Sequence, residues 1–208
     1  MIMNKRIRII AIGICLLALV SPIYISLAAS LLNQTYLPII YKQPILTPTS
    51  QPPVVFPNGD FEQGPVIWTQ YSSNGYELIY PQPELPAGVL PYDGLWVAWL
   101  GGVYNETSYI EQQVSVSSNL PYLSYWYWIA PSVGCVSGLG LVSVNGGVLA
   151  IYDLCNATGG WVQGVINLSA FAEQSVLIQF RGECDGFTNS DLFVDHVAFQ
   201  GTLMENNE

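Results

Sequence analysis

The chain has 208 residues; half are hydrophobic, only 10% are charged, and the formal net charge is −10. From residue 54 onward Arg181 is the only basic side chain, against all fifteen acidic ones. Because nucleic acids are bound mainly through lysine and arginine, this balance argues against a nucleic-acid partner. The length suits one domain, and abundant glycine and proline without a long charged helix favour a sheet protein.

Residues 1–29 have the composition of an export signal. Three basic residues within the first eight positions precede an apolar run from Ile9 to Ala29, which ends in small residues like those before a signal-peptidase site. The run is also about as long as a membrane span, so an uncleaved N-terminal anchor is the alternative. We therefore predict an exported protein, extracellular or at the cell surface, that contacts a membrane only through this segment if it is not cleaved.

Residues 30–55 are rich in proline and threonine, a composition that does not bury a core and tends to be extended. We interpret this stretch as a linker. One β-domain is predicted over residues 56–201, and an acidic polar tail over residues 202–208.

Within the domain, short apolar runs alternate with turn residues, as in a protein of many strands. The predicted strands are 66–71, 76–80, 95–100, 108–116, 122–130, 139–144, 148–154, 161–168, 175–181 and 192–200. Asn74-Gly75 and Asn145-Gly146 are hairpin signals between neighbouring strands. Only residues 168–174 have a helical pattern, two turns at most. This spacing predicts an all-β fold, either a sandwich or a jelly roll.

The predicted strand 122–130 carries aromatic side chains on both faces. Because side chains alternate along a strand, one face has the pattern of a core: Leu123, Tyr125, Tyr127 and Ile129. The opposite face holds Tyr122, Trp126 and Trp128. It is either an open platform on which a sugar ring stacks, or a face covered by the proline-rich loop 81–91. An open platform predicts a binding module, and a covered one a structural domain.

Other strands would complete an open platform. Trp96 and Trp99 point to opposite faces of their strand, and Trp99 shares its face with Leu95 and Val97, which resembles a core face. We therefore assign Trp96 to the platform, and Gln112 as a source of amide hydrogen bonds. The candidate ligand-binding residues are Tyr122, Trp126, Trp128, Trp96 and Gln112.

Three cysteines follow the export signal. Counting strands up and down places Cys135, Cys155 and Cys184 at one end of the sandwich, where any pair could form the disulfide expected of an exported domain. We favour a Cys135–Cys155 bridge, because a single hairpin joins the two loops that carry these residues. Cys184 then remains free.

Four segments carry a resemblance to a known family. They are 58–64 (Asn-Gly-Asp-Phe-Glu-Gln-Gly), 91–102 (Pro-Tyr-Asp-Gly-Leu-Trp-Val-Ala-Trp-Leu-Gly-Gly), 161–171 (Trp-Val-Gln-Gly-Val-Ile-Asn-Leu-Ser-Ala-Phe) and 192–199 (Leu-Phe-Val-Asp-His-Val-Ala-Phe). In this order the set resembles the bacterial jelly-roll modules related to MAM domains and to galactose-binding-like carbohydrate-binding modules. The resemblance spans roughly residues 56–200 and implies an all-β jelly-roll sandwich of two antiparallel sheets, usually without catalysis.

The same resemblance implies a structural cation shared by the first and last strands. The matching positions are Asp60, Glu62 and Asp195, with Asp93 a weaker candidate ligand. Calcium suits such a site, because it takes six to eight oxygen ligands from carboxylates and carbonyls. In the alternative interpretation, Asp60 and Glu62 cap a turn and Asp195 accepts hydrogen bonds from backbone amides.

The motifs for catalysis are missing. His196 is the single histidine, no Gly-x-Ser-x-Gly elbow occurs, and no motif supports Glu111 and Asp153 as a glycosidase pair. We therefore predict a non-catalytic exported module that recognises glycans or a cell-surface partner and is stabilised by calcium. The alternatives are a structural or adhesive surface domain without a small ligand, and an accessory domain that acts with a separate secreted hydrolase.

Overall fold

The computed structural model describes residues 56–130, 132–187 and 189–201. The predicted export signal, linker and acidic tail, residues 1–55 and 202–208, lie outside these described residues. Within the described part, no helix has the length and apolar character needed to cross a membrane.

The described residues form ten strands in two five-stranded sheets. In chain order the strands are β1 Thr69–Ser72, β2 Ile79–Pro81, β3 Trp96–Gly101, β4 Thr107–Ser115, β5 Tyr122–Ile129, β6 Gly138–Val144, β7 Gly147–Asp153, β8 Val162–Asn167, β9 Ser175–Cys184 and β10 Asp191–Gln200. The first sheet has the order β1-β4-β9-β6-β7 and the second the order β2-β3-β10-β5-β8. Every pairing is antiparallel, which confirms the predicted all-β jelly-roll sandwich.

The two sheets enclose one hydrophobic core. Each sheet contributes every second side chain of its strands, as the alternation of apolar residues requires. Leu123, Tyr125 and Ile129 of β5 are at most 3% exposed, in agreement with the predicted core face of this strand. Ile178 and Phe180 of β9 face them from the first sheet and are fully buried.

The predicted helix at residues 168–174 is a single 3-10 turn, Ser169–Phe171. A second such turn, Gln82–Glu84, begins the long loop between β2 and β3. The other segments predicted as strands agree with the observed strands within a few residues.

One of the two predicted hairpins forms. Asn145 and Gly146 have positive φ angles of 50° and 80°, which suit the tight turn that joins β6 to β7. The prediction for Asn74-Gly75 is wrong, because β1 pairs with β4 and β2 pairs with β3, so this turn connects the two sheets. The Asn74 side-chain amide donates to the buried Glu106 carboxylate, a contact distant in sequence that fixes the direction of the turn.

Cys135 and Cys155 form a disulfide with their Cα atoms 5.2 Å apart, the predicted pairing. Cys184 is free and buried, and its thiol contacts Ser190. Its Cα partner across the sheet is Gly138, close in sequence to Cys135. The three cysteines therefore do share one end of the sandwich.

Candidate functional site

The outer face of the second sheet carries Trp126 and Trp128 of β5. Trp128 pairs with Phe193 of β10, and Phe193 pairs with Trp99 of β3, so these three side chains share the outer face. Trp96 packs instead against the core cluster between the sheets. The prediction that Trp96 joins the platform is therefore wrong. Val97 is buried and Trp99 is partly buried, which gives their face the pattern of a core, but the layer that covers them is a loop.

Gln112 also lies elsewhere. It belongs to β4 of the first sheet and points inward between Ile110 and Val114. Its Nε2 donates to the carbonyl of Pro57 at 3.1 Å. Since this amide is buried in the other sheet, it cannot contact a ligand on the aromatic face, and its predicted role is wrong.

The long loop 82–95 covers the centre of the outer face. Val89 and Leu85 pack against Val97 and Phe193 in a second hydrophobic cluster, separate from the main core. Trp128 belongs to this cluster and meets the ring of Trp161 at a centroid distance of 5.9 Å. The interpretation of a covered face thus holds for the centre of this sheet.

The same loop extends over Trp126. The ring of Tyr92 stacks on the indole of Trp126 with centroids 4.1 Å apart and ring planes 13° apart. Tyr122, at the start of β5 opposite Gln200 and Asn167, is half-buried. The residues predicted as a platform therefore do not form an open aromatic surface.

Two carboxylates fix the end of this loop. Asp195 is fully buried, and its Oδ2 accepts hydrogen bonds from the amides of Tyr92 (2.8 Å) and Asp93 (3.2 Å). Its Oδ1 accepts from the amide of His196 at 2.6 Å. Glu62 Oε1 accepts from the amides of Leu95 and Trp96, both at 2.8 Å. Burial raises the pKa of the Asp195 carboxyl to about 7, although the three amide donors oppose this shift.

The remaining predicted calcium ligands make local contacts. Asp60 Oδ1 accepts from the amide of Glu62 at 3.4 Å, and Asp93 Oδ1 accepts from the amide of Gly94 at 2.9 Å. Among the described residues, no group of three acidic, histidine or cysteine side chains is placed to hold a metal ion. As arranged, all four predicted ligands serve as acceptors for backbone amides. The calcium ion itself stays a prediction.

The outer face of the first sheet is different in character. Cα pairing aligns one residue from each of its five strands into a continuous row: Tyr71, Tyr109, Arg181, Leu141 and Ile151. The rings of Tyr71 and Tyr109 are stacked, with centroids 5.0 Å apart. Tyr71 is 46% exposed and Ile151 is 66% exposed, so both ends of the row are open to solvent.

A polar row lies beside the aromatic one. Two positions away from the aromatic row, Glu111, Gln179 and Ser143 are cross-strand neighbours, and Gln179 Nε2 donates to Glu111 Oε2 at 2.8 Å. Arg181 is held by an ion pair with Glu183 at 2.6 Å. The face thus combines an exposed stacking surface with fixed planar groups that donate and accept hydrogen bonds. Each strand supplies only one or two of these residues, so the combination becomes visible only when the register is known.

Comparisons with solved structures agree with the architecture. The K1 cleaved adhesin domain of Lys-gingipain from Porphyromonas gingivalis W83 matches with a TM-score of 0.50 and 14% identity, over 67% of this chain and 93% of that chain. The K3 cleaved adhesin domain of the same protein matches with a TM-score of 0.50 and 17% identity, over 70% and 98%. TmCBM61, solved in complex with β-1,4-galactotriose, gives a TM-score of 0.49 and 15% identity, over 70% and 96%.

No protein-family model and no curated protein matches the sequence. At these identities, the structural likeness to the two adhesin domains concerns the fold alone. The chain thus has a β-sandwich fold that adhesin domains also have, while the finer resemblance to MAM-related modules stays a prediction.

Proposed function

We propose that this domain is an exported, non-catalytic glycan-binding module whose ligand lies across the outer face of the first sheet. The observation that carries the proposal is the stacked pair of exposed Tyr71 and half-buried Tyr109, in register with Arg181. Aromatic rings offer an apolar surface that suits the apolar face of a pyranose. The neighbouring Gln179 and Glu111 would hydrogen-bond the hydroxyl groups at the edge of the sugar ring.

The charge of this face favours a neutral glycan. Arg181, the single cation from residue 54 onward, is already paired with Glu183. Glu111 adds a further negative charge beside the tyrosine pair, which disfavours uronic acids and sialic acids. Export is supported by the Cys135–Cys155 disulfide, since such bonds persist in oxidising compartments.

The positions of the carboxylates support a non-catalytic role. Glu111 on β4 and Asp153 on β7 share the open face but are separated by β9 and β6. Three strand spacings of about 4.8 Å place their backbones at least about 14 Å apart. Glycosidase carboxylates are separated by roughly 5–9.5 Å, so this pair does not fit across one glycosidic bond.

A glycan array followed by calorimetry with the best neutral oligosaccharide tests the proposal. Replacing the exposed Tyr71 by alanine should lower affinity at least about tenfold, a loss of about 1.4 kcal/mol of binding free energy. Tyr76→Ala is the matched control, because Tyr76 is similarly exposed but lies off this face. If Tyr71→Ala leaves glycan binding intact while Tyr92→Ala removes it, the ligand belongs to the second sheet.

An adhesive role without a small ligand is the second candidate. It is favoured by exposed apolar side chains on β6 and on the edge strand β7 of the first sheet, namely Leu139, Val148, Leu149 and Ile151. A protein partner would remove this surface from water. A second copy of the domain is the partner to test first, by sedimentation of the wild type and of Ile151→Lys. Weaker self-association of the variant, together with no glycan binding by the wild type, would favour this role.

The calcium ion is a separate proposal and rests on the resemblance of residues 58–64 and 192–199. Asp195, Asp60 and Glu62 would contribute carboxylate oxygens, and backbone carbonyls would complete the coordination. Millimolar EDTA should then lower the melting temperature, and added calcium should restore it. An unchanged melting temperature in EDTA would leave these carboxylates with their hydrogen-bonding role alone.

A further inference from the structure

A cavity of about 200 Å³ lies between residues 76–80 and the C-terminal end of β3, away from the open face of the first sheet. Its walls include three aromatic side chains, two acidic ones and a glycine: Tyr76, Tyr80, Trp99, Glu77, Glu106 and Gly102. None of these residues belongs to the glycan surface proposed above. The cavity is therefore a separate candidate binding site.

The aromatic walls are held in a fixed arrangement. The rings of Tyr80 and Trp99 meet edge to face, with centroids 5.8 Å apart and planes at 60°. The indole N–H of Trp99 donates to Asp191 Oδ1 at 2.8 Å, which sets the orientation of the ring. A Cβ added at Gly102, whose φ is 83°, would come within 2.9 Å of the indole nitrogen, so a glycine is needed where the chain passes Trp99.

Glu106 is a buried carboxylate whose hydrogen bonds are incomplete. It is 1% exposed, and its Oε2 accepts from Ser73 Oγ and from the side-chain amide of Asn74. Its Oε1 is buried and has no hydrogen-bond partner among the residues that the structure describes. A buried carboxylate oxygen that receives no hydrogen bond carries uncompensated negative charge, and a positive charge in the adjoining cavity would offset that cost.

The surroundings of the cavity are also negative. Glu77 lines it, and the pKa of the Tyr80 hydroxyl is raised first by burial and then by the charges of Glu77 and Glu84. This potential disfavours anions and attracts cations. Aromatic faces likewise attract cations, most strongly where water is excluded.

We propose that this cavity binds a methylated ammonium group, of the kind carried by choline or by a methylated lysine side chain. A primary ammonium brings three N–H donors that each need an acceptor, whereas apart from Glu106 and Glu77 the side chains lining the cavity are aromatic or aliphatic and supply none beyond the Tyr76 and Tyr80 hydroxyls. A trimethylammonium group has no donor to satisfy, so it gains the attraction of the rings and of Glu106 without that loss. This site is independent of the glycan surface.

The probe is choline, compared with its neutral isostere 3,3-dimethyl-1-butanol, by calorimetry and tryptophan fluorescence on the whole domain. Choline should bind at least about tenfold more tightly, because only the charge differs between the two molecules. Equal binding of the two compounds, or binding of neither, would overturn the proposal. Displacement of choline by neutral sugars would overturn it as well, because that result assigns the cavity to the glycan.

Variants connect the binding to the cavity. Glu106→Gln should lower choline affinity at least about tenfold and remove most of the preference over the isostere. Because Glu106 is buried, Tyr76→Leu provides a second test at a 53% exposed position that folding tolerates. Tyr71→Leu is the control on the other sheet and should leave choline binding unchanged. If Glu106→Gln and Tyr76→Leu both bind choline like the folded wild type, the cavity is not the site.

Two further probes distinguish which kind of molecule carries the methylated ammonium group that binds. Binding to phosphatidylcholine vesicles as well as to free choline would assign the cavity to a lipid headgroup. Binding to trimethyllysine amide and choline, but not to vesicles, would assign it to a peptide or a small amine. Failure of both probes and of choline would overturn the proposal and leave the glycan surface untouched.

Discussion

Tyr125 fills the space that a glycine leaves on the neighbouring strand. Gly164 of β8 is its direct cross-strand partner, and a Cβ added there would come within 2.5 Å of the Tyr125 ring. The phenol then reaches across the core, where its hydroxyl lies 2.6 Å from that of Tyr152 on β7. A single buried side chain therefore links the two sheets through both packing and a hydrogen bond.

Adding one methyl group should disturb this arrangement. Gly164→Ala should lower the free energy of unfolding by about 1–3 kcal/mol, because the ring of Tyr125 has to move from a packed position. Gly147→Ala is the matched control, since the nearest atom to its added Cβ would be 3.4 Å away. Urea denaturation of both variants measures the difference. Equal stability of the two would show that the ring can shift freely.

Asp195 should make stability depend on pH. Its pKa of about 7 in the folded protein exceeds the ordinary value of 3.8, so the folded state holds this proton more tightly than the unfolded state does. Between about pH 4 and pH 7, unfolding releases the proton, and the free energy of unfolding falls as the pH rises.

The effect is bounded at about 4 kcal/mol across that window, by the size of the pKa shift. Denaturation in EDTA buffer at several pH values measures it. Asp195→Asn cannot titrate, so the difference between wild type and variant isolates this residue from the other carboxylates. A wild-type stability that rises through this window, relative to the variant, would contradict the raised pKa.

At the scale of elements, the loop 82–95 determines which outer face of the sandwich a ligand can reach. Within this loop, the side chain of Val89 is only 8% exposed, whereas that of its neighbour Leu90 is 56% exposed. The loop is fixed by apolar contacts at its centre and by the Asp195 and Glu62 carboxylates at its end. We therefore regard it as a third layer on the second sheet.

Two adjacent substitutions test this layer. Val89→Ser should lower the free energy of unfolding by about 1–3 kcal/mol, because a buried apolar side chain is lost. Leu90→Ser should change it by less than about 0.5 kcal/mol. Tryptophan emission should shift to longer wavelength for Val89→Ser alone, because water reaches Trp128. Identical spectra and stabilities for the two variants would show that the loop does not seal the face.

The positions of the strands can be predicted from the sequence more reliably than the pairing between strands. Alternating apolar residues located the ten strands and the core face of β5, because local pattern reflects burial. The same logic misplaced Trp96, since β3 is buried on both sides and its alternation cannot identify which side is the core. Asn74-Gly75 was misread because a distant residue, Glu106, fixes that turn. The row from Tyr71 to Ile151 depends on the register of five strands, which no local pattern contains.

For the whole domain, the Cys135–Cys155 bridge closes a loop that includes the β6–β7 hairpin at the edge of the first sheet. Replacing both cysteines by serine should lower the free energy of unfolding by about 3 kcal/mol, given a loop of about 20 residues. Guanidinium denaturation, with the wild type as reference, measures the loss.

Cys184 should stay unreactive toward a thiol reagent until the protein unfolds, because it is buried. A rapid reaction in the native state would contradict its placement.

The sealed second sheet and the open first sheet make the sandwich one-sided. A module with one adhesive face can gain avidity from neighbouring copies only when all of them present that face in the same direction. Both lysines of the sequence, Lys5 and Lys42, precede residue 54, so coupling to a bead through lysine amines would attach the module through its N-terminal segment. Display through the N-terminal segment gives every copy one point of attachment, so binding to a multivalent surface should depend steeply on the density of the displayed domain.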